Sequence, residues 1–343
     1  MSGSGSESLA WLSKQLARAP QDAAGESLFQ ARSYVFGTLI DIRIYGEGTR
    51  APAIAEAVLC DFDRLHWLAH PWKSGEVVDL NAAIARGERD MPVHPEVASL
   101  VEHCTKLSEQ SDGLFNPALG RLVQLWNFHA DRVQPVVPAD AEIARIVAAR
   151  PCMADLSLSG GRVHCRNAMV QLDFGGYAKG YALDRAARYL KREGAGNALI
   201  NAGGNILALG RRGERPWVVG IRHPRSDGLL ATLELGDGEA VSTSGDYERC
   251  FVIDGRRYCH VIDPRTGYPV SGTQSVTVLA APGGNAGAVS DAASGALFVA
   301  GPKRWGELSL KLGVRNILAV DDTGRVEASE SMARRISKRH AAK

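Results

Sequence analysis

The order of its hydrophobic periods constrains this chain most. From 46 to 150 the chain is rich in segments whose apolar side chains recur at helical spacing, and beyond that short strand-like runs predominate. A regular parallel α/β domain would alternate the two throughout, so the pattern predicts an α+β fold, a mixed sheet core with flanking helices. The stretch 33–45 reads as a strand, with Asp41 and Arg43 alternating with Ile40, Ile42 and Ile44. Helices are expected over 51–70, 94–110 and 140–149. Between the last two, 114–128 offers Leu122, Leu125, Trp126 and Phe128 to a core, and 135–138 is a Pro-rich break. Strand candidates at 162–165 and 169–174 precede an amphipathic helix, 180–193, that stops before Gly194. Strands then dominate, at 197–200, 206–210, 217–221, 231–235, 251–253 and 275–280, before helices at 288–299 and 305–312 and two short strands. The chain divides into an N-terminal arm (1–30), one domain (31–325, helix-rich over 46–150 and strand-rich over 151–325) and a basic tail (326–343) expected to be solvated.

Charge and cysteine usage narrow the function classes. With 40 basic and 38 acidic residues in 343, the net charge is +2, which argues against bulk electrostatic binding to nucleic acid and leaves room only for a local basic patch. The six Cys form no C-x-x-C pair and no zinc-ligand spacing, and are expected to be packing residues. No run of about 18 apolar residues occurs, so no membrane span is expected. The start, M-S-G-S-G-S-E-S, lacks the basic and apolar parts of an export signal. The expectation is cytoplasmic residence, or periplasmic residence if a signal has been removed.

Two segments concentrate polar and special-backbone residues: 172–184 (L-D-F-G-G-Y-A-K-G-Y-A-L-D) and 242–267 (S-T-S-G-D-Y-E-R-C-F-V-I-D-G-R-R-Y-C-H-V-I-D-P-R-T-G). In the first, Gly175 and Gly176 allow close ligand approach and φ values other residues avoid. The helix that follows presents free amides and a dipole that favour an anion, and Lys179 adds a mobile charge suited to phosphate. A plain strand-to-helix turn is the open alternative. The Walker pattern is absent. Gly203 and Gly204 interrupt an apolar strand, either as a bulge or where a ligand comes close. The second segment opens with a small-residue turn in which Thr243, Ser244 and the Gly245 amide can bond phosphate or ribose oxygens. It ends in a D-P-R-T-G turn set by Pro264 and Gly267. His260 is either a satisfied structural group or the chemical residue. Asp291, in S-D-A-A-S-G-A-L-F-V-A-G, either caps a helix or gives a hard oxygen to Mg²⁺.

These segments, with L-I-N-A-G-G-N-I at 199–206, F-G-T at 36–38, G-E-V-V-D-L-N at 75–81 and S-D-G-L-F-N-P-A-L-G-R-L-V-Q-L-W-N-F at 111–128, resemble the ApbE family of FAD:protein FMN transferases over roughly 33–312. The resemblance implies a T-fold-related fold that binds FAD with Mg²⁺ bridging its pyrophosphate. It implies transfer of the FMN moiety to a Thr hydroxyl of an acceptor flavoprotein, with release of AMP. An FAD pyrophosphatase yielding FMN and AMP, or an FAD-binding protein without chemistry, are the alternatives. By motif, Asp173, Lys179 and Val261 match flavin-nucleotide contacts, joined by Ser244. Phe36 and Trp72 match positions packed on the cofactor, and Leu114, Phe115 and Asn116 a stretch that lines it. The Gly176 carbonyl and the Asp291 carboxylate match metal ligands, and His260 is the candidate for activating the incoming hydroxyl. Three positions depart from the family pattern. Gly295 stands where a metal-binding Thr is usual, so Ser294 or a water would replace that ligand; Cys259 replaces the first His of H-H-I-x-D-P; Asn116 replaces an Asp.

Overall fold

The computed structural model describes residues 28–130 and 132–337. Eight strands make one antiparallel sheet: β1 (Leu28–Val35), β2 (Thr38–Tyr45), β3 (Ala198–Ala202), β4 (Asn205–Leu209), β5 (Ala240–Gly245), β6 (Thr273–Ala280), β7 (Asn316–Asp321) and β8 (Val326–Ala328). Each lies beside its successor, so sheet order is chain order, and the other elements up to β8 are inserted between neighbours. The helix-rich first half is thus one long insertion between β2 and β3.

Side-chain alternation along the strands builds two cores. Ala198, Ile200, Val278, Ala280, Ile317 and Ala319 join the core under helices α1 (Ala51–Ala69), α2 (Ala178–Arg192) and α3 (Ala286–Ala300). Their neighbours Leu199, Leu279 and Leu318 face the other way, beneath a three-stranded sheet of Leu229–Leu235, Trp217–Arg222 and Ile336–Ser337. Covered on both sides, β6 is buried at every position. A third cluster joins Trp126, Phe128 and Ile143 to the hairpin Cys250–Ile253/Arg256–Cys259, whose Phe251 and Tyr258 rings stack at 5.1 Å. The Trp126 indole donates to the Gly267 carbonyl at 2.8 Å, tying this cluster to the D-P-R-T-G turn.

The crossing of α2 and α3 positions the site. A Cβ on Gly180 would lie 2.2 Å from the Gly287 carbonyl oxygen, and one on Gly287 would lie 2.4 Å from that of Gly180. Only glycines permit this approach, and it lets each helix satisfy the other's free amides. Asp184 of α2 accepts from the Gly287 and Ala288 amides, both at 2.8 Å, where α3 begins. Asp291 of α3 accepts from the Gly180 amide, at 3.0 Å, in the first turn of α2.

Several elements differ from the sequence expectation. The run 33–45 is a hairpin, because Phe36 (φ 56°) and Gly37 (φ 69°) make a left-handed two-residue turn. Gly203 and Gly204 (φ 62° and 95°) are the β3–β4 turn rather than a bulge. The S-T-S-G run lies in β5 rather than in a turn. Residues 169–174 make only a bridge from Gln171 to Leu119, since the side chain of Asn81 takes both the Leu172 amide (2.7 Å) and carbonyl (2.9 Å). The helix Glu76–Ala85 was not foreseen, nor were β5 and the strands Asp90–Pro92, Leu156–Ser159 and Arg256–Cys259. Residues 326–337 of the expected tail are folded: β8 is paired, Met332 is fully buried, and Arg335 pairs with Glu239 at 2.7 Å. The arm from 1 to 27 and the tail from 338 lie outside the described residues, and β1 starts at Leu28. Cys60 is exposed, against the expectation that every thiol packs. No helix among the described residues is long and apolar enough to cross a membrane.

Candidate functional site

The site grows from the turn before α2. The Asp173 amide donates to the Pro117 carbonyl at 2.8 Å, and its carboxylate accepts from the Gly175 amide at 2.8 Å, which folds the chain toward the helix. Neither Gly175 nor Gly176 has a positive φ, so the expected left-handed backbone is absent. Both are exposed, and the Gly176 Cα hydrogen faces the Phe115 ring, which a Cβ would meet at 3.9 Å. An uninterrupted helix would direct the Gly180 amide to the Gly176 carbonyl. That amide goes to Asp291 instead, and no donor among the described residues is found on the carbonyl.

Asp291 lies inside α3, so it is not that helix's N-cap. Its buried carboxylate lies 3.9 Å from the Lys179 ammonium, which also donates to the Gly175 carbonyl at 2.9 Å. The Ser294 hydroxyl donates to the Asp291 carbonyl at 2.9 Å and meets the Ser244 hydroxyl of β5 at 2.9 Å. No group of three or more His, Cys, Asp or Glu that could hold a metal occurs among the described residues. A cation here would rest on one carboxylate, neutral oxygens and the phosphates of a ligand, a set of hard donors that suits Mg²⁺. A Cβ at Gly295 would meet only the Ser244 hydroxyl, at 3.9 Å, so the position has room for a side chain.

His260 follows the strand Arg256–Cys259, and its amide donates to the Arg249 carbonyl at 2.9 Å. Its Nδ1 is buried without a partner. Burial, with the charges of Lys179 and Arg249, pushes its pKa down to about 4, so the ring is neutral at neutral pH and able to accept a proton. Burial raises the Asp173 pKa, against the pull of the Gly175 amide, Lys179, Arg249 and His129. Arg249 and His129 were not singled out from sequence, although Arg249 lies in the quoted 242–267 segment and His129 directly follows Asn127 and Phe128. The His129 ring lies 5.1 Å from that of Trp72.

The structure therefore gathers Asp173, Gly176, Lys179, Ser244, His260, Asp291 and Ser294, with Phe115 beside Gly176. Leu114 is buried in the main core. Asn116 donates to the Pro151 carbonyl at 3.0 Å, which an ionised Asp could not do. Val261 is half-buried, its carbonyl accepting from the Val270 amide at 2.9 Å. Phe36 packs edge-on against Phe62 and His66 of α1. Cys259 is a buried thiol whose pKa burial pushes up to about 12.

These features define a class: an α+β protein with an oxygen-rich, charge-bearing corner where two helices cross over an antiparallel sheet. The ApbE family model matches residues 36–318, and this chain belongs to the ApbE family. It is 42% identical over 304 residues to an FAD:protein FMN transferase of Rhodobacter capsulatus, covering 88% of this chain and 57% of that one. It is 32% identical over 323 residues to an FAD:protein FMN transferase of Treponema pallidum, covering 88% and 87%. The chain thus spans less than two thirds of the Rhodobacter relative's length. Among solved structures, it is similar to the ApbE protein of Thermotoga maritima (TM-score 0.82, 34% identity, 91% of this chain and 100% of that one). It is also similar to the flavinyl transferase ApbE of Pseudomonas stutzeri (TM-score 0.78, 28% identity, 91% and 98%).

Proposed function

We propose that this protein transfers the FMN moiety of FAD to a Thr hydroxyl of an acceptor protein and releases AMP, with Mg²⁺ bound at the helix crossing. The observation that carries the reading is the Asp291 carboxylate, held by the Gly180 amide beside Lys179, with the Ser294 hydroxyl bonded to the main-chain carbonyl of Asp291 and to the Ser244 hydroxyl. The names of the relatives, FAD:protein FMN transferases, support it. Asp291, Ser294 and the Gly176 carbonyl would hold the metal, which when bound neutralises pyrophosphate charge and polarises the phosphorus.

Lys179 places a compact positive charge against a pyrophosphate oxygen. Neutral His260 takes the proton of the Thr hydroxyl as its oxygen attacks the FMN phosphorus. The bond from that phosphorus to the bridging oxygen breaks, and AMP leaves with the electron pair. The negative ligand raises the basicity of His260 from its value in the free protein. Trp72, Phe115 and Phe36 offer aromatic surface to the flavin ring.

The test is incubation with FAD, MgCl₂ and an acceptor protein, followed by mass spectrometry of the acceptor. A Thr-linked FMN adduct is expected. An unmodified acceptor alongside free FMN and AMP would assign the pyrophosphatase instead, and intact FAD retained on the protein would assign binding without chemistry.

A further inference from the structure

A buried polar nitrogen without a hydrogen-bond partner is costly and rare in native proteins, so a group of them marks a place shaped for something else. Three buried ring or guanidinium nitrogens without partners fall on linked residues here: His129 Nδ1, Arg249 Nε and His260 Nδ1. Arg249 connects them. Its Nη2 donates to the carbonyl of Ala130, next in sequence to His129, and its own carbonyl accepts from the His260 amide. The first bond holds one end of the guanidinium, the second holds the main chain at its root, and the buried Nε–H between them is left unmet. Asp173 lies close enough to feel the Arg249 charge. Arginine cannot shed its proton, and its flat fork of donors matches phosphate oxygens.

We infer that Arg249 is a phosphate-binding residue of this site, its Nε–H donating to a non-bridging oxygen of the FAD pyrophosphate. The inference rests on the FAD-handling function proposed above. It divides the recognition of the ligand's charge between two places, Lys179 with Asp291 at the helix crossing and Arg249 with its neighbours on the hairpin. Because arginine needs no metal to hold an anion, its contribution persists when divalent cations are removed.

The test is calorimetric titration of wild type, Arg249→Lys and Arg249→Gln in EDTA with FAD, inorganic pyrophosphate, AMP and riboflavin. Loss of one charge-assisted bond should weaken FAD and pyrophosphate about tenfold or more in Arg249→Gln, less in Arg249→Lys, and leave riboflavin unchanged. A matching loss on AMP would place the contact on the AMP phosphate, and an unchanged AMP affinity on the FMN phosphate; both support the inference. Equal weakening for riboflavin would overturn it, making Arg249 a residue that shapes the pocket only. Unchanged FAD and pyrophosphate affinities would overturn it too. Arg249→Lys keeps the charge and guards against misfolding of Arg249→Gln, with melting temperature as the check. If wild type binds pyrophosphate through Arg249 but not FAD, the flavin function falls and the phosphate site stands; binding of neither ligand overturns both.

Discussion

Replacing Asp291 by Asn and by Ala separates the structural and chemical work of its carboxylate. Asn keeps an oxygen for the Gly180 amide and trades a charge-assisted bond for a neutral one, a difference of about 1 kcal/mol. Ala leaves that amide without an acceptor at the tight helix crossing, at about 1–3 kcal/mol. With about 2.1 cal/mol/K of unfolding entropy per residue, a chain of 343 residues loses roughly 1.4 °C of Tm per kcal/mol. Calorimetric scans should therefore show Asn lower by about 1 °C and Ala by about 1–4 °C, both folded. The chemical loss should be far larger. Removing a partner that merely orients a metal ligand costs about 10–100-fold in affinity, so removing the one carboxylate of the donor set should cost at least that. The assay is FAD turnover against Mg²⁺ concentration. An Asn variant with wild-type Mg²⁺ dependence would refute the ligand assignment, and an unfolded Ala variant would refute the claim that the carboxylate's structural share is small.

Gly180→Ala forces a Cβ against the Gly287 backbone, and the overpacking cost of about 1–3 kcal/mol should exceed the roughly 1 kcal/mol gained in helix propensity. A Tm equal to or above wild type would mean that the helices can part freely. An added Cβ at Gly295 would meet only the Ser244 hydroxyl, at 3.9 Å, so Gly295→Thr should fold normally and tighten Mg²⁺ binding; a several-degree fall in Tm or an unmoved Mg²⁺ affinity would contradict this. An unfolded His titrates near 6.5, and His260 titrates at about 4 in the fold. The unfolded chain then binds more protons between those values, so stability should fall as pH drops from about 6.5 to about 4. His260→Gln should show a shallower fall in pH-dependent urea melts, and an unchanged slope would contradict the shift.

Much of the site was legible because its residues sit in short motifs at fixed spacing. Lys179 and Asp291 were readable, although the helix crossing that joins them was not. Gly180 and Gly287 look like poor helix residues until the partner backbone is seen so close that a Cβ would lie 2.2–2.4 Å from its carbonyl oxygen. The Phe36–Gly37 turn escaped notice because Phe rarely adopts a positive φ, so the strand ran on through it. The strand 169–174 failed because a side chain from a distant helix, Asn81, takes the hydrogen bonds a partner strand would have used. Arg249 looked like one more charge in a polar run; only the Ala130 contact shows where its guanidinium goes. The tail 334–343 is basic, but Met332 and the Arg335–Glu239 pair anchor the chain just where the charge run starts.

The most direct measurement quantifies AMP and acceptor-bound flavin over time in one reaction containing FAD, Mg²⁺ and acceptor, with an EDTA control. Equal amounts of the two, appearing together and only with Mg²⁺, are the expected result. AMP accumulating without acceptor-bound flavin, or flavin transfer undiminished in EDTA, would contradict a metal-dependent FMN transferase.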